Sequence, residues 1–421
     1  MSEKIDKLVW QLAFGAKKES KKAYLKLWNL GQENGVIPAS INDFYLARAN
    51  NKLPLDFTVP AINIRGLTYD MARVVFRVAK TKKVGAFIFE IARSEIGYTD
   101  QPPCEYTGVI IGAALKEGFK GPVFIQGDHF QVKKGDQAGQ PKKGELNAVK
   151  KLIADSINAG FYNIDLDIST LVDYSKEKII DQQKANYEIA AKLTEFVRNL
   201  EPKGITVSLG GEIGHIGGRN STKEELRAYM EGYNKSLKTG LVGLSKMAIQ
   251  TGTHHGGVPL ADGRLADVDV DFVVLKELSQ VAREHGMGGT VQHGASTLPD
   301  EYFVEFTNSE ALEVHLATGF QNIIFDHPKF PKALLEKMYT WIDTELKAEK
   351  KEGWTTKQFY YKLRKKAFGK FKKECWSLPN EVKSAITKDL QKRFAFMFAK
   401  LNVENSKELV DKFVKKTNIY K

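Results

Sequence analysis

Histidines directly after short β-rich runs are the feature of this sequence that points most clearly to chemistry. His129 and His293 stand at the ends of two such runs, and His254 and His255 stand together after a third. Because neighbouring residues of a strand face opposite ways, we expect only one of the two adjacent histidines to bind a given metal ion. A single strand-end histidine is more often a core or surface residue, but three imidazoles with one open coordination position are typical of a catalytic zinc site. The sequence therefore predicts a metal centre built from three of its eight histidines.

Carboxylates accompany these histidines. Asp128 directly precedes His129, and a carboxylate beside an imidazole can assemble a metal ion and a general acid/base at one place. Asp165 and Asp167 alternate along another run and so share one face, which is costly inside a protein unless the charges are paired or bind a cation. Glu212 lies in a glycine-rich segment, whose backbone N–H groups can approach an anion. For the aspartates the alternative is a capping role at a turn, which requires no ligand.

The elements that must position these residues alternate between short β-rich runs and longer stretches of helical period. Eight predicted strands are Asp56–Ile64, Ala86–Ala92, Pro122–Asp128, Tyr162–Asp167, Ile205–Glu212, Lys246–Thr251, Thr290–His293 and Gln321–Phe325. Such alternation is typical of a parallel sheet covered by helices, and eight units favour a closed (β/α)8 TIM barrel of the α/β class. In that fold the chemistry gathers at the carboxyl ends of the strands.

The chain outside the barrel has a helical pattern. We expect residues 1–50 to form an N-terminal helical segment, 51–328 the catalytic barrel, and 329–421 a basic helical extension. In that extension Leu390, Phe394, Met397 and Phe398 recur on one helical face, which predicts that it packs against a neighbour.

Charge and cysteine content exclude several classes of protein. Residues 329–421 hold 24 Lys and Arg against 11 Asp and Glu, whereas the rest holds 39 against 40, so the whole excess lies in the extension. A basic segment with interleaved aromatic residues could bind RNA, but a solvated lysine-rich face is the simpler interpretation, and we expect no nucleic-acid partner. Cys104 and Cys375 cannot form a disulfide framework or a four-thiolate metal site. Without a leader or a long apolar run, the sequence predicts a cytoplasmic protein with no membrane contact.

Six segments, in order along the chain, carry a family resemblance: Val59-Pro-Ala-Ile-Asn, Gly127-Asp-His, Leu166-Asp-Ile-Ser, Gly211-Glu-Ile-Gly-His-Ile-Gly-Gly, Gly252-Thr-His-His-Gly and His293-Gly-Ala-Ser. With them the chain resembles the zinc-dependent class II aldolases, the fructose- and tagatose-bisphosphate aldolase group of (β/α)8 barrels. The resemblance runs from about Phe57 to Asp326.

This resemblance implies roles for particular residues. The zinc ligands would be His129, His255 and His293, with His255 favoured over His254 because the family's ligand precedes a glycine. Asp128 would be the acid/base at the C4 hydroxyl of the substrate. Asp167 and Glu212 would be alternative metal ligands or supports of the metal site. Asn63 matches a substrate-binding asparagine. Three further positions match contacts to a substrate phosphate: Gly256, Gly294 and Ser296. One Zn²⁺ per chain is implied, with a monovalent cation as a further candidate.

The sequence also departs from the family pattern. Pro259 stands where the family usually has a lysine, the strand-two serine falls near Ala92, and the Asn-x-Asp-Thr phosphate motif after strand eight is replaced by Asn322-Ile-Ile-Phe-Asp-His-Pro. The segments that begin at Phe89 and Glu105 resemble the accessory-subunit branch of tagatose-bisphosphate aldolase, which is related to ketose-phosphate 4-epimerases.

The resemblance implies reversible aldol cleavage of a ketose (bis)phosphate, such as fructose 1,6-bisphosphate, between C3 and C4. The same groups would epimerise C4 if the cleaved aldehyde stayed bound and recondensed on its other face. A non-catalytic subunit of another aldolase is a third reading, which the presence of Asp128 with three histidines disfavours. A sugar phosphate is the expected substrate, and a homodimer or homotetramer the expected assembly.

Overall fold

The computed structural model describes residues 2–214, 219–252, 259–260 and 270–421 of the chain. Within these residues nine parallel strands form one sheet, in the order β1-β4-β3-β2-β9-β8-β7-β6-β5, and a further pairing of β4 with β5 closes strands β2 to β9 into a barrel. The strands are β1 (Val36–Ala39), β2 (Val59–Asn63), β3 (Ile88–Ala92), β4 (Gly121–Asp128), β5 (Asn163–Asp165), β6 (Ser208–Glu212), β7 (Lys246–Ile249), β8 (Thr290–Gln292) and β9 (Glu313–Leu316). The predicted (β/α)8 barrel is confirmed.

Helices lie between the strands and beyond the last one. They are α1 (Ser2–Phe14), α2 (Lys17–Glu33), α3 (Asn42–Ala49), α4 (Thr68–Thr81), α5 (Arg93–Tyr98), α6 (Pro103–Glu117), α7 (Glu145–Ala159), α8 (Ile179–Gln182), α9 (Lys184–Leu200), α10 (Lys223–Ser236), α11 (Phe272–Glu284), α12 (Tyr302–Asn308), α13 (Thr318–Phe325), α14 (Lys332–Glu345), α15 (Thr356–Lys370), α16 (Lys372–Trp376), α17 (Asn380–Lys400) and α18 (Lys407–Phe413). Short 3₁₀ turns occur at Ser169–Leu171, Ala295–Thr297 and Lys347–Glu349.

The prediction for the eighth barrel strand is wrong. Residues Gln321–Phe325 belong to helix α13, and the strand is β9, which pairs with β2 and β8. A short apolar run such as Ile323-Ile-Phe does not distinguish a strand from a buried helix. The true strand was hidden because Glu313 and His315 alternate with apolar residues and yet point into the barrel. The strand-eight end is therefore His315-Leu-Ala-Thr, which also differs from Asn-x-Asp-Thr.

The N-terminal segment is not purely helical, because it contains β1. This strand pairs with the beginning of β4, with Val36 opposite Gly121 and Ala39 opposite Phe124. It lies on the same edge of β4 that pairs with β5 further along, where the Asn163 side chain accepts a hydrogen bond from the Ile41 N–H at 2.9 Å. The strand therefore lies beside the barrel opening at the amino end of β4 and β5.

The C-terminal segment packs on the barrel as a set of helices. The predicted apolar face of α17 is buried, with Leu390, Phe394, Met397 and Phe398 at most 1% exposed. At the amino ends of the strands, the Ser406 hydroxyl accepts hydrogen bonds from the N–H groups of Gly85 and Ala86, both at 3.1 Å. At the other end, α15 reaches the mouth of the barrel, as described below. No helix in the described part of the chain is long and apolar enough to cross a lipid bilayer.

Candidate active site

A cavity of about 590 Å³ opens at the carboxyl ends of the barrel strands. Its lining includes residues at or after the ends of β2, β3, β4, β5, β6, β8 and β9, and one side chain from the C-terminal helix α15. Among the predicted site residues it contains Asn63, Asp128, His129, Glu212, His293, Gly294 and Ser296. The structure therefore brings together, in one cavity, predicted residues that are spread over 234 positions of the sequence from Asn63 to Ser296.

Asp128 and His129 reach this cavity through an unusual turn at the end of β4. Consecutive residues of a strand face opposite sides, yet both of these side chains line the cavity. His129 has a φ of +42°, a left-handed conformation that is uncommon for residues other than glycine and often marks functional sites. Gly127 precedes the turn because a Cβ there would lie 2.3 Å from the ring of buried Phe130.

Two carboxylates hold the His129 ring. Its Nδ1 lies 3.0 Å from Asp167 Oδ2 and 3.0 Å from Glu212 Oε2. Asp167 is in turn fixed by the side chains of Gln131, at 2.7 Å, and Ser169, at 2.7 Å. Asp167 follows β5 and Glu212 ends β6, so three neighbouring strands meet at this imidazole.

The pKa values of His129 and of the two carboxylates that contact it are shifted. Burial disfavours the charged form of His129, but Asp128 and Glu212 outweigh that effect and raise its pKa well above the usual value. Burial and the neighbouring Asp167 raise the pKa of Glu212 to about 7. Burial alone would also raise the pKa of Asp167, but its hydrogen bonds, above all that from His129, lower it. The raised pKa values of His129 and Glu212 favour the protonated form of each group.

His293 follows β8, and its ring lies 4.2 Å, centroid to centroid, from that of His129. Gly294 has a φ of +73° and begins the 3₁₀ turn that carries Ser296. The Ser296 hydroxyl accepts a hydrogen bond from the Gly319 N–H at 3.0 Å. Gly319 is required there, since a Cβ would lie 2.3 Å from the Ser296 carbonyl oxygen.

Asn63 ends β2 and donates from Nδ2 to Glu95 Oε2 at 2.6 Å. Its Oδ1 is buried without a hydrogen-bond partner in the described chain, and Asn63 lines the cavity. The predicted residues His254, His255 and Gly256 lie outside the described residues, as does His215.

The donor set fits a metal ion. Ligand atoms of His129, Glu212 and His293 lie within 4.8 Å of one another, a separation at which one cation can contact all three. Two imidazoles and a carboxylate are ligands that zinc accepts. Asp128, His293 and His315 form a second group of the same compactness.

Sequence reasoning missed His315. Its Nδ1 lies 3.2 Å from Asp128 Oδ1 and 3.1 Å from Glu90 Oε2, and its Nε2 lies 2.6 Å from Glu313 Oε1. Burial opposes its protonation, but Glu90 and Asp128 outweigh burial and raise its pKa. The available signal was the alternation of Glu313 and His315 along an otherwise apolar strand, which is the period of an inward-facing pair.

Below this layer a second charged group fills the barrel interior. Lys246 Nζ lies 2.9 Å from Asp165 Oδ1 and 2.6 Å from Glu313 Oε1, and it donates to Gln126 Oε1 at 2.7 Å. Burial would raise the pKa of Glu313, but Lys246 and His315 lower it. Asp165 and Asp167 share one face, as expected, with Asp165 beside Lys246 and Asp167 beside His129. Asp167 also accepts a hydrogen bond from the Ser169 N–H at 3.1 Å, which is the turn-capping contact of the alternative interpretation.

Comparison with known proteins gives one family and several similar folds. The sequence model described as class II fructose-bisphosphate aldolase matches residues 46–397. The structure is similar to a fructose-bisphosphate aldolase from Campylobacter jejuni, with a TM-score of 0.51 and 17% identity over 88% of this chain and 98% of that one. It is also similar to a protein described as a probable tagatose 6 phosphate kinase from Sinorhizobium meliloti 1021, with a TM-score of 0.55 and 14% identity over 84% of this chain and 93% of that one. No protein in the curated set matches the sequence.

Proposed function

Because the chain belongs to the class II fructose-bisphosphate aldolase family, we propose that it is a zinc-dependent aldolase that reversibly cleaves a ketose (bis)phosphate between C3 and C4. The observation that carries the proposal is the meeting of Asp128, His129, Glu212 and His293 in one cavity at the carboxyl ends of the strands. Scaffolding requires no such group, and burying these charges without a function would be costly.

His129, His255 and His293 are the proposed zinc ligands. When bound, zinc would polarise the C2 carbonyl of the ketose and stabilise negative charge that develops on the ketone fragment. Zinc binds neutral imidazole, so the proton on His129 must leave first. Asp167 fixes the orientation of the His129 ring, and Glu212 would be an alternative ligand for the ion.

Asp128 is the proposed acid/base. In the cleavage direction its carboxylate accepts the proton of the C4 hydroxyl as the C3–C4 bond breaks, and in condensation it returns that proton. The contact with His315, at 3.2 Å, orients this carboxylate in the cavity. Asn63 would bind a substrate hydroxyl through Oδ1, while Gly256, Gly294 and Ser296 would contact a substrate phosphate.

C4 epimerisation of a ketose or ketose phosphate is the second candidate. The observation that favours it is the strand-eight end, where His315-Leu-Ala-Thr stands in place of the family's phosphate motif. A changed hold on the ketone fragment would alter whether the aldehyde leaves before recondensation.

One experiment separates these functions. Purified protein is incubated with fructose 6-phosphate and with fructose 1,6-bisphosphate, and triose products and the C4 epimer are followed together. Accumulating triose phosphate supports the aldolase, and epimer without free triose supports the epimerase. Neither product from either substrate, with zinc bound, would contradict both. We further propose that the protein is cytoplasmic and forms a homodimer or homotetramer. Sedimentation of the purified protein tests the assembly, and fractionation of cells tests the location.

A further inference from the structure

We propose that Arg65 and Lys365 form an oxyanion-binding subsite that holds the phosphate or carboxylate on the terminal carbon of the ketose, beyond C4. The proposal rests on the proposed function for the identity of the sugar chain. It assigns a substrate-binding role to the C-terminal extension, which supplies Lys365 from helix α15.

The two residues lie on the side of the cavity away from β6. In the closed sheet, β2 lies between β3 and β9, directly across the ring from β6, which carries Glu212. Arg65 follows β2 by two residues, whereas His129 follows β4 and His293 follows β8. A chain-like substrate held at the histidines would therefore extend across the barrel mouth toward Arg65.

Arg65 is fixed and only partly occupied. Its Nε lies 2.7 Å from Glu95 Oε1, and its Nη1 donates to Thr318 Oγ1 at 3.2 Å and Gln321 Oε1 at 3.0 Å. Within the described chain, the Nη2 atom of Arg65 has no hydrogen-bond partner, and this atom is not fully buried. A guanidinium held in this way is preorganised for a planar oxyanion, because little side-chain freedom remains to be lost.

Lys365 has no carboxylate partner in the described part of the chain. Its ammonium lies 5.6 Å from the centre of the Tyr98 ring, and it lines the same cavity as Arg65. Burial, followed by the charge of Arg65, lowers its pKa to about 8. A bound anion would remove the repulsion between the two cations and favour the charged lysine.

The local ion pairing favours an anion. Arg65 forms a salt bridge with Glu95, whereas Lys365 forms none within the described chain, so one cation at this end of the cavity has no salt-bridge partner there. Among the lysines of α15, only Lys365 lines the described cavity, whereas Lys366, for example, pairs with Glu349. An oxyanion between an arginine and a lysine makes charge-assisted hydrogen bonds, which are about twice as strong as neutral ones.

Three ketohexoses that differ only at C6 test the proposal: fructose, fructose 6-phosphate and fructuronate. We expect the wild-type protein to favour one or both charged sugars over fructose in kcat/KM. Lys365→Met should lower kcat/KM for the charged sugar about 10- to 100-fold, as expected for the loss of a charge-assisted contact, and leave fructose unchanged. Lys370→Met, an exposed lysine on the same helix, is the matched control. The charged sugar preferred by the wild type identifies phosphate or carboxylate as the group bound.

If the charged sugar keeps its advantage in Lys365→Met, the subsite is wrong while the proposed function stands. If only fructose 1,6-bisphosphate reacts, the same loss of kcat/KM, about 10- to 100-fold, is expected for it in Lys365→Met, since one charge-assisted contact is lost. If neither these sugars nor fructose 1,6-bisphosphate reacts, the proposed function fails, and binding of inorganic phosphate to the purified protein decides the subsite alone. Calorimetry should then show at least tenfold weaker phosphate binding in Lys365→Met than in wild type and Lys370→Met. Equal binding by all three proteins would overturn the proposal.

Discussion

Two groups of buried charges lie in successive layers of the barrel interior, and they neutralise their carboxylates in different ways. The histidine cluster consists of His129, Asp167, Glu212 and His293, and the lysine cluster consists of Gln126, Asp165, Lys246 and Glu313. Asp165 and Asp167 are two positions apart on one chain segment, so each layer receives one of them.

The lysine cluster contains its own cation, whereas the histidine cluster contains only titratable imidazoles. Lys246 helps to lower the pKa of Glu313, but the pKa of Glu212 is raised to about 7. The carboxylate pair of the lysine cluster shares a permanent cation, although burial raises the pKa of Asp165 there. A similar pair that faces imidazoles must bind a proton or a metal ion, and this is why we assign structure to one cluster and catalysis to the other.

Asp128 stands beside the histidine cluster without belonging to the proposed zinc ligands, so its replacement should separate metal binding from catalysis. Asp128→Asn should keep zinc and lose about 10²- to 10⁴-fold in kcat for cleavage or epimerisation, the usual contribution of a general acid/base. Exchange of a proton of the small ketone product with solvent should survive. Asp155→Asn, on the exposed surface of α7, is the control for the charge change.

Equal loss of cleavage and exchange in Asp128→Asn, with zinc retained, would reassign Asp128 to holding the geometry of the site. Wild-type rates would remove it from the mechanism.

Removing the cation of the lysine cluster should lower the stability of the fold. Lys246→Met removes the resident cation from two buried carboxylates, which typically costs about 3–5 kcal/mol. Chemical denaturation should show this loss in the free energy of unfolding, with the zinc content of the folded protein unchanged. Lys151→Met, which breaks an exposed pair with Asp155, should cost less than about 1 kcal/mol. If the Lys246 variant were as stable as the wild type, the two clusters would not differ as described.

The third prediction is a pH dependence confined to the histidine cluster. Below about pH 7 Glu212 holds a proton in the metal-free protein, and His129, with its raised pKa, also holds one. Metal must displace these protons, so zinc affinity should rise with pH, about tenfold per unit for each proton released. Zinc titrations at pH 6 and pH 8 measure this slope. A zinc affinity that does not change with pH would mean that the metal displaces a proton from neither Glu212 nor His129.

The functional residues at the strand ends could be predicted well from the sequence, but the conformations of the turns that follow them could not. Asp128, His129 and His293 are visible because they follow apolar runs, and parallel strands bring such ends together. The left-handed turn at His129 is a property of the folded chain and could not be anticipated from alternation. His315 was missed because its strand is polar on the inward face, where a charged network replaces apolar packing.

Lys365 shows a different limit of prediction from the sequence. It lies 300 positions after Arg65, on a helix whose sequence indicates only a basic, solvated surface. Its approach to the cavity follows from the packing of α14 and α15 through Ile342, Phe359 and Leu363 and from the hydrogen bond of Gln358 to the Pro259 carbonyl at 2.8 Å. Tertiary contacts of this kind leave no local pattern in the chain.

The central claim is that the histidine cluster binds a catalytic zinc ion, and metal content measured together with activity tests it most directly. Elemental analysis of the purified wild-type protein should give one zinc per chain. His293→Ala should lose zinc and activity together, while His285→Ala, at the end of α11 and outside the cavity, should keep both. A zinc-free His293→Ala protein with full activity would contradict the account.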